Sequence, residues 1–116
     1  MEVRTNRIDP GILKIDVSGE MDLYNSQELK SILADHIDSG NEPVLLDLRE
    51  LNYIDSSGIS VLLYAFTQCR KRQMGLCFLN IRGSVKRVIE LTSLSGFFPI
   101  AESLEDATRR LTGGGR

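Results

Sequence analysis

The sequence predicts an α/β fold: a single domain in which one mixed, largely parallel β-sheet packs with about four helices. Three observations predict it. Stretches with apolar residues at helical spacing alternate with short apolar strands along most of the chain. Two of those strands, Val44–Leu48 and Leu76–Ile81, are almost continuous apolar runs, as in strands of a parallel sheet covered on both faces. Finally, 116 residues with 41% hydrophobic content can build one core and are too few for two.

In chain order, Val3 to Ile8 is a strand candidate. Asp9-Pro10-Gly11 follows as a turn, with Pro fixing one dihedral and Gly accepting a positive one. Leu13, Ile15 and Val17 then alternate with Lys14, Asp16 and Ser18, giving a strand with one buried face and, with its predecessor, a hairpin. Gly19 to Tyr24 reads as a loop. Asn25 is placed to cap a helix, with Glu28 where a capping box wants it. Leu29, Ile32, Leu33, His36 and Ile37 form that helix's apolar face, and Gly40 ends it.

Beyond Val44–Leu48, the stretch Tyr53 to Gly58 leads into a second helix. Ile59, Leu62, Leu63 and Phe66 recur at helical spacing and are expected to be buried, with Val61 and Ala65 widening the stripe. Arg70-Lys71-Arg72 is the wet end of this helix, and Gly75 closes it. After Leu76–Ile81, Ser84 can cap a third helix carrying Val85, Val88 and Ile89. Phe97 to Ala101 is a short last strand. Ser103-Leu104-Glu105-Asp106 is a capping-box signature for a fourth helix, with Ala107 and Leu111 on one face. The domain spans 1–112, and the glycine-rich residues 113–116 are expected to be a flexible tail.

Charged residues make up 26% of the chain, with a net charge of -2 and a pI near 5.4, so no basic face for direct nucleic-acid binding is expected. Cys69 and Cys77 sit in apolar surroundings at a spacing that fits no metal motif, and read as two reduced, buried thiols. No apolar run is long enough to span a bilayer, and no signal-peptide hydrophobic region follows Met1. A cytoplasmic protein without membrane, metal or cofactor is the expectation.

The candidate site is Asp55-Ser56-Ser57-Gly58, between a buried strand and the start of a buried helix. The first turn of a helix has unpaired N–H groups and partial positive charge, which favours anionic oxygens, phosphate included. A serine there stands at the end of a rigid element, and Gly58 leaves the backbone open to close approach by another protein. Ordinary capping also accounts for Asp and Ser at a helix start. The weight shifts with Gly19-Glu20-Met21-Asp22, because loops at the same strand ends of an open sheet gather on one side. Glu20 and Asp22, otherwise solvated loop carboxylates, then come near Ser57.

Gly19-Glu20-Met21-Asp22, an apolar strand, and then Asp55-Ser56-Ser57-Gly58-Ile59 together resemble the STAS domain family, and within it the single-domain anti-sigma-factor antagonists of bacteria. The resemblance runs from about Val3 to Leu111. It implies that the second serine of the motif, Ser57, is the phosphoacceptor. It further implies that Glu20, Asp22, Asn25, Asp55, Ser56 and Gly58 face a partner. That partner would be a kinase-type anti-sigma factor using ATP and magnesium, which the unphosphorylated antagonist binds to free a sigma factor, while a serine phosphatase resets the switch. Other members of the family serve in stress-signalling assemblies or as subunits of membrane transport systems, which would keep the fold and change the partner.

An enzyme reading fits poorly. Asp-Ser-Ser-Gly is not a Gly-x-Ser-x-Gly nucleophile elbow, and His36, the one candidate base, falls late in the first helix, where packing explains it. The terminal glycines lack the Lys-Ser/Thr of a phosphate-binding loop.

Overall fold

The computed structural model of the chain describes residues 1–113. Its elements in order are β1 (Glu2–Ile8), β2 (Ile12–Met21), α1 (Ser26–Ser39), β3 (Val44–Asp47), β4 (Leu51–Ile54), α2 (Ser56–Lys71), β5 (Leu76–Leu79), α3 (Gly83–Leu91), β6 (Ile100–Ala101) and α4 (Leu104–Leu111). The strands lie in the order β1-β2-β3-β5-β6. Among the described residues only the β1–β2 hairpin is antiparallel, and every other pairing is parallel. This is the mixed sheet with four helices that the strand–helix alternation predicts.

Strand β2 positions the site. It is 10 residues long and serves two parallel partners in succession. Its first half pairs with β3, Leu13 opposite Val44 through Asp16 opposite Asp47. Beyond that, Glu20 lies opposite Tyr53 and Met21 opposite Ile54 on β4, with a register shift between Gly19 and Glu20. Gly19 makes the change at φ +88°, a left-handed conformation that suits glycine. The β2–β4 pair thus extends the sheet and delivers two loops at one end.

The two faces of the sheet are covered unequally. On the first, Leu13, Ile15, Val17, Leu46 and Phe78 pack with Leu29 and Leu33 of α1, Leu62 and Ala65 of α2, and Val85 and Ile89 of α3. On the second, Ile12, Leu45, Cys77, Leu79 and Ala101 meet Ala107 of α4. Farther along this face Lys14 stands 2.6 Å from Asp16 and 3.4 Å from Asp47. Burial works against the lysine's charge, but the two carboxylates outweigh it and raise its pKa. Both cysteines are free and buried, and burial pushes each thiol up to about 11. No helix among the described residues is long and apolar enough to cross a membrane.

Several elements depart from the sequence expectation. Gly19 to Met21 is strand rather than loop, and β4 was not anticipated. Asn25 does occupy the cap position of α1, but its side chain makes no capping bond. α2 ends at Lys71, short of Gly75, and Leu63 is 39% exposed while Phe66 is only half-buried. Ile59 and Leu62 are buried as expected. Ser84 does not cap α3; its hydroxyl donates to the carbonyl of Asn52 at 2.8 Å, tying the helix to β4. The last strand shrinks to two residues because a 3₁₀ turn, Leu94–Gly96, takes up the approach to it. Ser103 caps α4 as expected, accepting from the Asp106 N–H at 3.1 Å. Of the expected tail 113–116, all but Gly113 lies outside the described residues.

Candidate functional site

Asp55 follows β4 and caps α2. Its Oδ1 accepts from the N–H of Ser57 at 2.9 Å and of Gly58 at 3.3 Å. Two of the helix's free amides are therefore already engaged by a carboxylate from the chain itself. The anionic oxygen favoured at this helix start is, for these two amides, that of Asp55 itself. Ser56 is exposed and Ser57 half-buried. Among the described residues the Ser57 hydroxyl has no hydrogen-bond partner, and it is not among the buried unpaired oxygens, so it meets solvent.

Gly58 has a different role from the one expected. It is buried, and a methyl added there would stand 2.5 Å from Ile54 Cγ1 and 3.2 Å from Met21 Cγ. The missing side chain makes room for the domain's own core, not for a visitor. It lets α2 start directly against the ends of β2 and β4.

The second loop is built beside the first. The N–H of Asp55 donates to the carbonyl of Met21 at 3.3 Å, tying the two strand ends together. From Met21 the chain turns through Asp22, whose Oδ1 accepts from the N–H groups of Tyr24 at 2.9 Å and Asn25 at 3.2 Å. The Asn25 side chain points back into this turn: its Oδ1 accepts from the Asp22 N–H at 2.9 Å and its Nδ2 donates to the Glu20 carbonyl at 2.9 Å. The turn is fixed by its own side chains. Glu20 is exposed on the strand end, opposite Tyr53. The structure thus gathers Glu20, Asp22, Asn25, Asp55, Ser56 and Ser57 at one end of the domain, with Gly58 beneath them.

Sequence reasoning passed over Leu23, 67% exposed, and Tyr24, 93% exposed, at the tip of this turn. The signal was available: two large apolar residues between loop formers, outside any periodic stretch. His36 is remote from the site. It sits ten residues along α1 from Ser26, roughly 15 Å, with its Nε2 3.3 Å from the carbonyl of Glu42. Clefts open elsewhere too: one of about 550 Å³ is lined by Arg4, Asp16, Ser18, Asp47 and Arg49 among others, and no residue of the Ser57 end lines it.

This geometry defines a surface: a solvent-facing hydroxyl at a helix start, at the same end of the domain as Glu20, Asp22 and Asp55 and a turn that exposes Leu23 and Tyr24. Residues 4–107 match the STAS domain, and the chain belongs to that family. It is 34% identical over 107 residues to BtrV of Bordetella bronchiseptica, assigned as an anti-sigma factor antagonist, covering 92% of this chain and 91% of that one. An anti-sigma factor antagonist from Mycobacterium paratuberculosis superposes with a TM-score of 0.82 at 24% identity, over 96% of this chain and 93% of that one. The fold is also that of the anti-sigma factor antagonist SpoIIAA in its unphosphorylated form (TM-score 0.79, 18% identity, 97% of each chain). The Bacillus SpoIIAA in the phosphorylated form matches with a TM-score of 0.71 at 17% identity, over 94% of this chain and 98% of that one.

Proposed function

We propose that the chain is an anti-sigma-factor antagonist whose binding is switched by phosphorylation of Ser57. In its unphosphorylated state it binds a kinase-type anti-sigma factor and frees the sigma factor. That partner transfers the γ-phosphoryl group of ATP to Ser57 Oγ, releasing ADP and the hydroxyl proton, and a serine phosphatase reverses the step. The relatives named as antagonists support the regulatory role. Among the described residues the start of α2 presents two unpaired hydroxyls, those of Ser56 and Ser57, and what carries the assignment to Ser57 is its place as the second serine of Asp55-Ser56-Ser57-Gly58, the motif that resembles the family's.

The switch works through charge. Phosphate adds roughly −1.5 to −2 at neutral pH. Asp55 already holds the Ser57 and Gly58 amides, so the new charge is displayed beside a carboxylate, with Glu20 and Asp22 on the paired strand end and loop. The fold tolerates this at the surface. A partner shaped around a neutral hydroxyl does not, since like-charge juxtaposition across an interface costs several kcal/mol.

The test incubates the purified chain with its anti-sigma factor, ATP and magnesium, maps phosphate by mass spectrometry and measures binding. Ser57→Ala is expected to abolish phosphorylation, keep binding, and move stability by less than about 1 kcal/mol. Ser57→Asp is expected to fold and bind poorly, and Ser56→Ala to be phosphorylated as wild type. Phosphate on Ser56, or tight binding by Ser57→Asp, overturns the assignment.

A further inference from the structure

The two edges of the sheet are finished differently. Strand β6, at one edge, is two residues long and follows Pro99, and short strands and proline are how proteins blunt an edge against pairing. Strand β1, at the other edge, runs seven residues with no proline and no bulge, in unbroken register with β2 from Glu2 opposite Ser18 to Ile8 opposite Ile12. Among the described residues no strand pairs with its outer side, so every second residue turns its N–H and C=O away from the sheet. Edges are also guarded by bare charge, lysine above all. β1 has no lysine, and its charges are compensated within the chain. Arg4 Nε lies 3.2 Å from Glu2, and Arg7 Nε donates to the two carboxylate oxygens of Glu42 at 2.9 and 3.0 Å.

We infer that β1 pairs antiparallel with β1 of a second copy of the chain, across a two-fold axis through Thr5, so that two sheets join into one. The strand's own sequence carries the choice of occupant. A two-fold axis perpendicular to the sheet keeps each face on its own side, so a residue meets only residues of its own face. Centred on Thr5, all seven residues find a partner: Thr5 meets its own copy, Arg4 meets Asn6, Val3 meets Arg7 and Glu2 meets Ile8. No like charges stand directly opposite, and the central pair is Thr–Thr, one of the favourable cross-strand combinations. Sliding the copies by two residues one way sets Arg4 against Arg4, and the other way leaves Glu2 and Val3 without partners. β1 pairs with β2 only as far as Ser18, whereas the Ser57 end is built on Gly19 to Met21 and β4. Antiparallel pairing points the two Ser57 ends in opposite directions, and the dimer does not depend on phosphorylation.

Sedimentation of the purified chain over a concentration series is expected to show a monomer–dimer equilibrium. Thr5 is exposed, and Thr5→Lys sets two ammonium groups face to face at the axis. It is expected to keep the wild-type thermal midpoint and to raise the dissociation constant about tenfold or more. Leu91→Lys, at an apolar position 80% exposed on the end of α3, is the control and is expected to leave the constant unchanged. Oxidation of single added cysteines reads the register, because Cys69 and Cys77 are buried with their thiols pushed up to about 11. Opposed residues of an antiparallel pair stand about 4.5–5.5 Å apart, within disulfide reach, so Thr5→Cys is expected to give a covalent dimer. Arg4→Cys, two residues out of step with its copy, is expected to give none. Ser57→Asp is expected to dimerise as the wild type does, which keeps this test separate from the phosphorylation reading. A wild type that stays monomeric at every concentration overturns the inference. So does a dimer that Leu91→Lys dissolves and Thr5→Lys does not, or cross-linking through Arg4→Cys in place of Thr5→Cys.

Discussion

Two helices begin near the Ser57 end of the sheet, and they begin with similar residues to opposite effect. At α2, Asp55 turns its carboxylate forward onto the amides of Ser57 and Gly58, and the serine hydroxyl after it is left facing solvent. At α1, Asn25 turns its amide backward onto Glu20 and Asp22, and the hydroxyl of Ser26 is fully buried with no partner. One helix start is closed by its cap and displays its serine. The other holds the neighbouring turn in shape and hides its serine. The difference teaches that a capping residue in sequence names a position, while the strand ends behind it decide what the side chain does.

The start of α2 is also the tighter of the two, and the largest expected effect lies there. Gly58→Ala places a methyl 2.5 Å from Ile54 Cγ1, an atom in the middle of its side chain rather than at its free end. Ile54 cannot yield cheaply, because it is itself buried in the core. Overpacking of this kind costs about 1–3 kcal/mol, more than the fraction of a kcal/mol that alanine's helix propensity returns. Urea unfolding is expected to show a lower midpoint at unchanged slope. A variant as stable as wild type would mean that α2 does not seat against β2 and β4 as closely as described, and the contrast between the two starts would lose its basis.

How much of this was legible in the sequence follows from the same local physics. The parallel strands β3 and β5 were legible because both faces are covered, which leaves an unbroken apolar run. Strand β4 was not. Its two ends are buried while Asn52 and Tyr53 between them are exposed, so it shows no period of two. Gly19 and the register shift after it hid the second half of β2 for a related reason. In α2 there were more apolar residues than the core could use, and the spacing alone could not say that Leu63 would be left outside. Ser84 was misread because its partner, the Asn52 carbonyl, belongs to the strand that went unseen. At the site, the gathering of the two loops was legible from strand order. The inward role of Gly58 depends on how closely the side chains of Ile54 and of Met21, 37 positions earlier in sequence, pack over its backbone, and was not.

The cap itself supplies the intermediate effect. Asp55→Ala removes the acceptor for two amides at the start of α2 and is expected to cost about 1–2 kcal/mol. Asp55→Asn keeps an acceptor oxygen and is expected to lose less. Chemical denaturation of the two variants ranks them. Equal losses would show that the charge of Asp55, rather than its hydrogen bonds, supports the helix through the dipole.

At α1 the smallest effect is expected, and with the opposite sign. Ser26 is wholly inaccessible and its Oγ has no hydrogen-bond partner among the described residues. A buried hydroxyl without a partner carries a desolvation cost that the folded state never recovers, on the order of 1 kcal/mol or more. Ser26→Ala deletes one oxygen and leaves the rest of the side chain in place, so little cavity opens against that gain. The variant is expected to be more stable than wild type by up to about 1 kcal/mol, whereas Ser57→Ala, which removes a hydroxyl already facing water, should sit close to zero. Denaturant midpoints measured at equal slopes resolve the two. Ser26→Ala should also be phosphorylated at the wild-type rate, since the hidden serine takes no part in the surface. A loss of stability in Ser26→Ala would reveal a partner for that hydroxyl, and the two serines would then differ in what they bind rather than in whether they are displayed.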